Sequence, residues 1–232
     1  MVLATQCAMP KIRSKDPLLA ATTSILLPAV KPFGFQRHGS RKLIRIREDI
    51  LHLINPWYSG WGGRDFHVDC WAMPLVPATS FIYSARGDRV CDEVSQGSLW
   101  AGQTQELADT SMERVVKIIQ KRVLPFFISI ETTESFLNLL KQRPDPDHHE
   151  HFRVACCLVR LTRLDEARER LIAAIRAYAE DGRAWCAGYA TQCEQMVKAI
   201  DEGTALELLE NWKMETIRNL KLQKIVSNGT GA

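Results

Sequence analysis

Residues 41–55 read Arg-Lys-Leu-Ile-Arg-Ile-Arg-Glu-Asp-Ile-Leu-His-Leu-Ile-Asn. Over Arg41–Arg47 the side chains divide by parity: Arg41, Leu43, Arg45 and Arg47 point one way, and Lys42, Ile44 and Ile46 the other. That alternation predicts a half-buried strand. Glu48–Asp49 is a tight turn, and Ile50–Asn55 is apolar on both parities apart from His52 and Asn55, which predicts a central strand covered on both faces. Working outward, Trp57–Gly63 reads as an aromatic-rich hairpin loop and Phe66–Met73 as a third strand. Phe66, Val68, Cys70 and Ala72 share one face of it; His67, Asp69, Trp71 and Met73 share the other. Pro74 and Pro77 end that strand, Phe81–Tyr83 offers a short fourth one, and Arg86–Gly87–Asp88 reads as a turn. Upstream, Asp16 as N-cap and Pro17 at the first helical position open a helix to Val30, which Lys31–Pro32 closes.

Downstream the apolar period changes to 3.6. From Met112 on, Val115, Ile118, Ile119 and Arg122–Val123 form one stripe of a helix that Pro125 is expected to close near Phe126–Phe127. A short helix, Thr133–Lys141, precedes a linker at Arg143–Asp147. Helices are then expected over His149–Leu161, Leu164–Ala179, Arg183–Ile200 and Thr204–Val226. The fold class is therefore α+β: an N-terminal helix on a three- or four-stranded antiparallel sheet, followed by an all-helical C-terminal half. The expected organisation is a disordered extension over residues 1–16, an α+β domain over 17–143, and a helical domain or an extension of the same core over 147–226.

The 232 residues are 46% hydrophobic and 25% charged, a mixture that can bury a core. The longest uninterrupted apolar runs, Ile25–Val30 and Val123–Ile128, fall far short of the roughly 20 residues a bilayer crossing needs, so no membrane partner is expected. Thirty basic and 27 acidic groups leave a net charge of +3, too little by itself for a nucleic-acid binder. Residues 1–100 hold the excess, with 12 basic and 8 acidic groups. Seven cysteines form no CxxC pair, which fits a reduced, cytoplasmic compartment. The polar start, MVLATQCAMPKIRSKD, lacks the apolar core of a signal peptide.

Two family resemblances rest on particular residues. Residues 26–127 resemble a bacterial family known as domain of unknown function 4304. The likeness lies in Lys31–Pro32–Phe33–Gly34–Phe35–Gln36–Arg37–His38–Gly39 after an opening helix, Ile50–Leu53 with Asn55, Phe66–His67–Val68–Asp69, and Leu124–Pro125–Phe126–Phe127; Trp212 also suits the pattern. The long loop Pro74–Trp100 departs from it. The resemblance implies an α+β domain and carries no established activity or catalytic residue. Residues 151–179 are similar to one tetratricopeptide-like helical hairpin, with small Ala155, Ala167 and Ala174 where the helices approach.

Three constellations are candidates for function. Arg37, Arg41, Arg45 and Arg47, beside Trp57 and Trp61, form a basic strand face with indoles, suited to an acidic protein through forked guanidinium–carboxylate pairs. His52, His67 and Asp69 are the alternative, a catalytic set in which a carboxylate orients an imidazole. His148 and His151, at i and i+3, are an alternative metal pair, set against Asp147 as N-cap and Glu150 in a solvated helix start. No GxSxG, P-loop, GxGxxG or zinc-deaminase pattern occurs. The leading expectation is a non-enzymatic protein-interaction module, of immunity or regulatory type, with an acidic protein partner and no cofactor. An enzyme using the His/Asp set, with or without a metal, is the competing expectation, and weak nucleic-acid binding a third.

Overall fold

The alternating segment and the apolar run after it form the centre of a sheet. Five antiparallel strands, β1 (Gln36–His38), β2 (Lys42–Arg47), β3 (Ile50–Tyr58), β4 (Phe66–Pro74) and β5 (Arg86–Arg89), lie side by side in chain order. The computed structural model describes residues 16–60, 63–92, 94 and 96–229. Helices precede the sheet and make up most of the described chain after Thr104, so the fold is α+β.

The sheet differs from the expectation at three places. β2 is covered on both faces at its middle: Leu43, Ile44 and Arg45 are all buried, because Phe33, Phe35 and Glu131 pack over Arg45 and the last helix also packs on the strand. β3 runs on through Tyr58, which takes Trp57 out of the hairpin loop and sets it opposite His67. Pro56 is tolerated there because β2, paired from Leu43 with Ile54, offers no strand beside it on the far side. The fifth strand is Arg86–Arg89 and not Phe81–Tyr83. Gly87, with φ +130°, lets β5 come so close to β4 that a Cβ would sit 2.1 Å from the Cys70 carbonyl oxygen; the glycine serves a close approach where a turn was expected.

Helix α1 (Pro17–Phe33) begins as expected, the Asp16 carboxylate accepting from the Leu19 N–H at 3.0 Å. It contains a wide turn at Thr22–Leu26, as α2 (Gln105–Ser129) does at Ile119–Val123. Both wide turns stand directly before a Leu-Pro pair, Leu27–Pro28 and Leu124–Pro125, with the leucine N–H donating five residues back to Thr22 and Ile119. The extra residue opens the ladder where proline has no N–H to give and its ring would crowd the preceding turn. Pro125 therefore does not close its helix, which continues to Ser129. Then follow α3 (Thr133–Lys141), α4 (His148–Arg160), α5 (Leu164–Asp181), α6 (Cys186–Asp201), α7 (Ala205–Asn219) and α8 (Gln223–Gly229). The expected last helix is interrupted at Lys221, whose φ is +56°.

Helices α1 and α2 cover one sheet face: Phe127 stacks on His52 at 4.7 Å, and the Tyr58 hydroxyl donates to Asp16 at 2.7 Å. The other face turns toward the helical half. There Arg160 of α4 and Lys213 of α7 converge on Asp49 in the β2–β3 turn, at 2.6 and 2.8 Å. Buried apolar residues from Leu18 to Ile225 form one continuous cluster. Fully buried Glu150 at the start of α4 holds Arg86 of β5 and, at 3.1 Å, Arg143, so an ion-pair network ties sheet to helices. That start is thus not the solvated one expected. Asp147 still caps it, accepting from the Glu150 N–H at 2.8 Å. Among the described residues no single helix is long and apolar enough to cross a membrane, and the six described cysteines are unbridged.

Candidate functional site

The basic strand face divides into a buried and an open part. Arg45 is 3% exposed; it pairs with Glu131 at 2.8 Å, donates to His52 Nδ1 and the Phe33 carbonyl, each at 3.2 Å, and lies over the Phe35 ring. Arg41 sits 4.9 Å over the Tyr58 ring with one terminal nitrogen buried. Trp57 is only half exposed: its Nε1 donates to Asp69 at 2.6 Å, and Arg89 lies over its ring. The outward ribbon of arginines beside indoles is thereby corrected, because Phe33, Phe35 and Glu131 pack over Arg45 on that sheet face and Asp69 and Arg89 hold Trp57. Trp61 lies outside the described residues.

The open part is the corner made by the end of α1 and the β1–β2 hairpin. Residues 31–47 hold six lysines and arginines and no aspartate or glutamate. Lys31, Arg37 and Lys42 are exposed there, and His38 and Arg47 half exposed. Arg37 donates to the Thr23 hydroxyl at 2.5 Å; none of Lys31, Arg37, Lys42 and Arg47 has a carboxylate within ion-pair distance among the described residues. A 460 Å³ cleft opens beside them, lined by Leu27, Lys31, Gly34, Phe35, Gln36 and Arg37. Burial and the neighbouring Lys42 push His38 below its usual pKa.

The His/Asp set does not assemble. Register places His52 opposite Ala72 and Asp69 opposite Asn55, so His52 lies on the helix-covered face and His67 and Asp69 on the other. His52 is fully buried; burial, then Arg45, pushes its pKa down to about 3, and it stays a neutral acceptor. Both Asp69 oxygens are occupied, by Trp57 and by Arg89 at 2.9 Å, and His67 Nδ1 meets the Ser98 carbonyl at 2.7 Å. Asp69 therefore orients neither histidine, which the acid–base reading of this set required.

The third cluster joins residues the sequence keeps apart. Helix α5 ends at Asp181, with Gly182 in the left-handed region (φ +68°) turning the chain, and α6 begins five residues later at Cys186. The antiparallel hairpin of α4 and α5 brings that end back to His148. One atom each from His148, Asp181 and Cys186 lie within 4.8 Å of one another, with His148 Nδ1 3.8 Å from an Asp181 oxygen. Rings pack around them: His148 lies 4.6 Å from Tyr178, and His149 stacks on Trp185 at 5.2 Å while its Nδ1 meets the Tyr178 hydroxyl at 2.8 Å. Burial, then Arg153, pushes His149 down to about 4. Arg183 clasps both Asp181 oxygens at 2.5 and 2.6 Å, lies over Trp185, and holds the Asp181 carboxyl far below its usual range. Beyond Tyr189 a 270 Å³ cleft opens under Phe81, where the buried Gln192 Oε1 has no hydrogen-bond partner.

His151 does not join His148: its Nδ1 faces Arg170 at 3.4 Å on another side of α4. Sequence reasoning missed Asp181, read as part of a turn, and Cys186, read as one free thiol among seven. The available signal was the hairpin itself, since antiparallel helices return the end of the second to the start of the first. No protein family matches the chain, nor does any curated protein or solved structure.

Proposed function

We propose that the protein is a non-enzymatic interaction module that docks an acidic protein segment at the corner of Lys31, Arg37, Lys42 and Arg47. One observation carries this reading: six basic side chains and no acid in residues 31–47, with these four lacking any ion-pair partner among the described residues. Uncompensated charge at a rim steers and selects partners of opposite sign. The adjacent cleft beside half-buried Leu27 supplies apolar contact for such a segment. The neighbouring Arg45 stays internal, bound to Glu131, and takes no part in docking. Resemblance of residues 26–127 to domain of unknown function 4304 accords with a fold that brings no known chemistry.

A glutamate-rich peptide serves as the probe, followed by fluorescence anisotropy. Arg37→Glu/Lys42→Glu is expected to weaken binding by about tenfold or more, each reversed rim charge turning attraction into repulsion. Added salt weakens the wild type's binding in the same direction. Equal affinity of variant and wild type, or no binding by the wild type at low salt, removes the proposal.

A further inference from the structure

We propose that His148, Asp181 and Cys186 form a binding site for a divalent metal ion of the zinc class. It is independent of the basic corner, lying where the start of α4, the end of α5 and the start of α6 meet. The donor set decides the class of ion. One imidazole, one carboxylate and one thiol form a mixed N, O and S set; a thiolate selects zinc, cobalt or iron over calcium or magnesium, which take oxygen ligands.

Geometry supports the assignment. Tetrahedral bonds of about 2.0–2.3 Å put ligand atoms roughly 3.3–3.8 Å apart. The His148–Asp181 separation is already 3.8 Å, and no pair of the three exceeds 4.8 Å, a span that small side-chain rotations close. A Cys-His-Asp catalytic triad needs another layout, with thiol and carboxylate at opposite ring nitrogens. Here one donor atom from each of the three residues lies within 4.8 Å of the other two. Asp181 is also the last residue of α5, where the carbonyl end of the helix favours a cation.

Three protein ligands leave a fourth position for water or an incoming group, the pattern of open zinc sites. As the metal–sulfur bond forms, the Cys186 thiol proton passes to solvent. The guanidinium of Arg183, now on both Asp181 oxygens, is displaced. Its side chain is 60% exposed, so the swing into water is inexpensive. Arg183 thus competes with the ion, and the rings of Tyr178 and Trp185 wall the site.

Cobalt(II) titration of the full chain, without a histidine tag, tests this, with zinc as competitor. One equivalent of cobalt is expected to give a thiolate-to-cobalt absorption band that zinc abolishes. Cys186→Ser removes the band and Cys193→Ser keeps it. Asp181→Asn and His148→Gln weaken binding by at least about tenfold. Arg183→Gln tightens it, by up to about fivefold, as the competing exposed ion pair is lost. Circular dichroism accompanies each variant; if Cys186→Ser unfolds, His148→Gln, at a half-buried helix start, decides by the same titration. Absence of the band in the wild type, its survival in a folded Cys186→Ser, or unchanged affinity in His148→Gln overturns the proposal.

Discussion

The middle of the sheet and the junction of helix ends both gather histidine, carboxylate and arginine, and they use them in opposite ways. In the sheet the polar groups satisfy one another: Arg45 with Glu131 and His52, Asp69 with Trp57 and Arg89. Most of their buried polar atoms are paired, Arg45 Nη2 and His52 Nε2 being the exceptions, so these residues hold the fold. At the helix ends His148, Asp181 and Cys186 converge, and an exposed Arg183 holds the carboxylate from outside. The difference teaches that a candidate site is marked where imidazole, carboxylate and thiol lie within reach of one ion, a grouping found among the described residues at the helix ends and not in the sheet.

If polar groups of the sheet and its anchors are structural, removing one is costly. Glu150→Ala strips the fully buried carboxylate from Arg86 and Arg143 and is expected to cost about 3–5 kcal/mol in urea unfolding. A loss below about 1 kcal/mol would mean that the network does not tie sheet to helices.

His52 sharpens the same side by pH. Its folded pKa of about 3 lies below its ordinary 6.5, so between these values the unfolded chain binds the extra proton. The contribution is full above pH 6.5 and is lost as pH falls toward 3, by up to about 1.4 kcal/mol per unit. His52→Gln, which keeps an acceptor for Arg45, is expected to flatten that acid limb in urea midpoints measured across the window. An acid limb identical in variant and wild type counts against a neutral core histidine.

The smallest effect belongs to the basic corner. Arg37→Glu/Lys42→Glu is expected to shift stability by no more than about 0.5 kcal/mol, because both side chains are exposed and unpaired with acids. A larger loss in the thermal midpoint would show that this corner, too, is used by the fold.

Much of the architecture was legible in local pattern. Parity in Phe66–Met73 assigned its two faces as the register has them, and the continuous apolar run Ile50–Asn55 marked the central strand. Thr133–Lys141 was legible to the residue, through its capping threonine and apolar stripe. The misreadings fell on proline and glycine. Pro125 was read as a stop, although a wide turn absorbs it; Gly87 was read as a turn, although it permits close strand packing. In each case the residue's local bias was real, and a tertiary neighbour decided how it was used.

Side-chain periodicity alone determined the α+β class, the strand faces and most helix spans, since it depends on backbone geometry within a few residues. Which arginine is buried and which is open depends on whether another strand or helix lies across it. Whether His52 shares a face with Asp69 depends on register. The meeting of His148 with Asp181 and Cys186, which lie 33 and 38 positions away, depends on how a helical hairpin closes. Those are properties of distant chain segments packed together, and only the tertiary structure decided them.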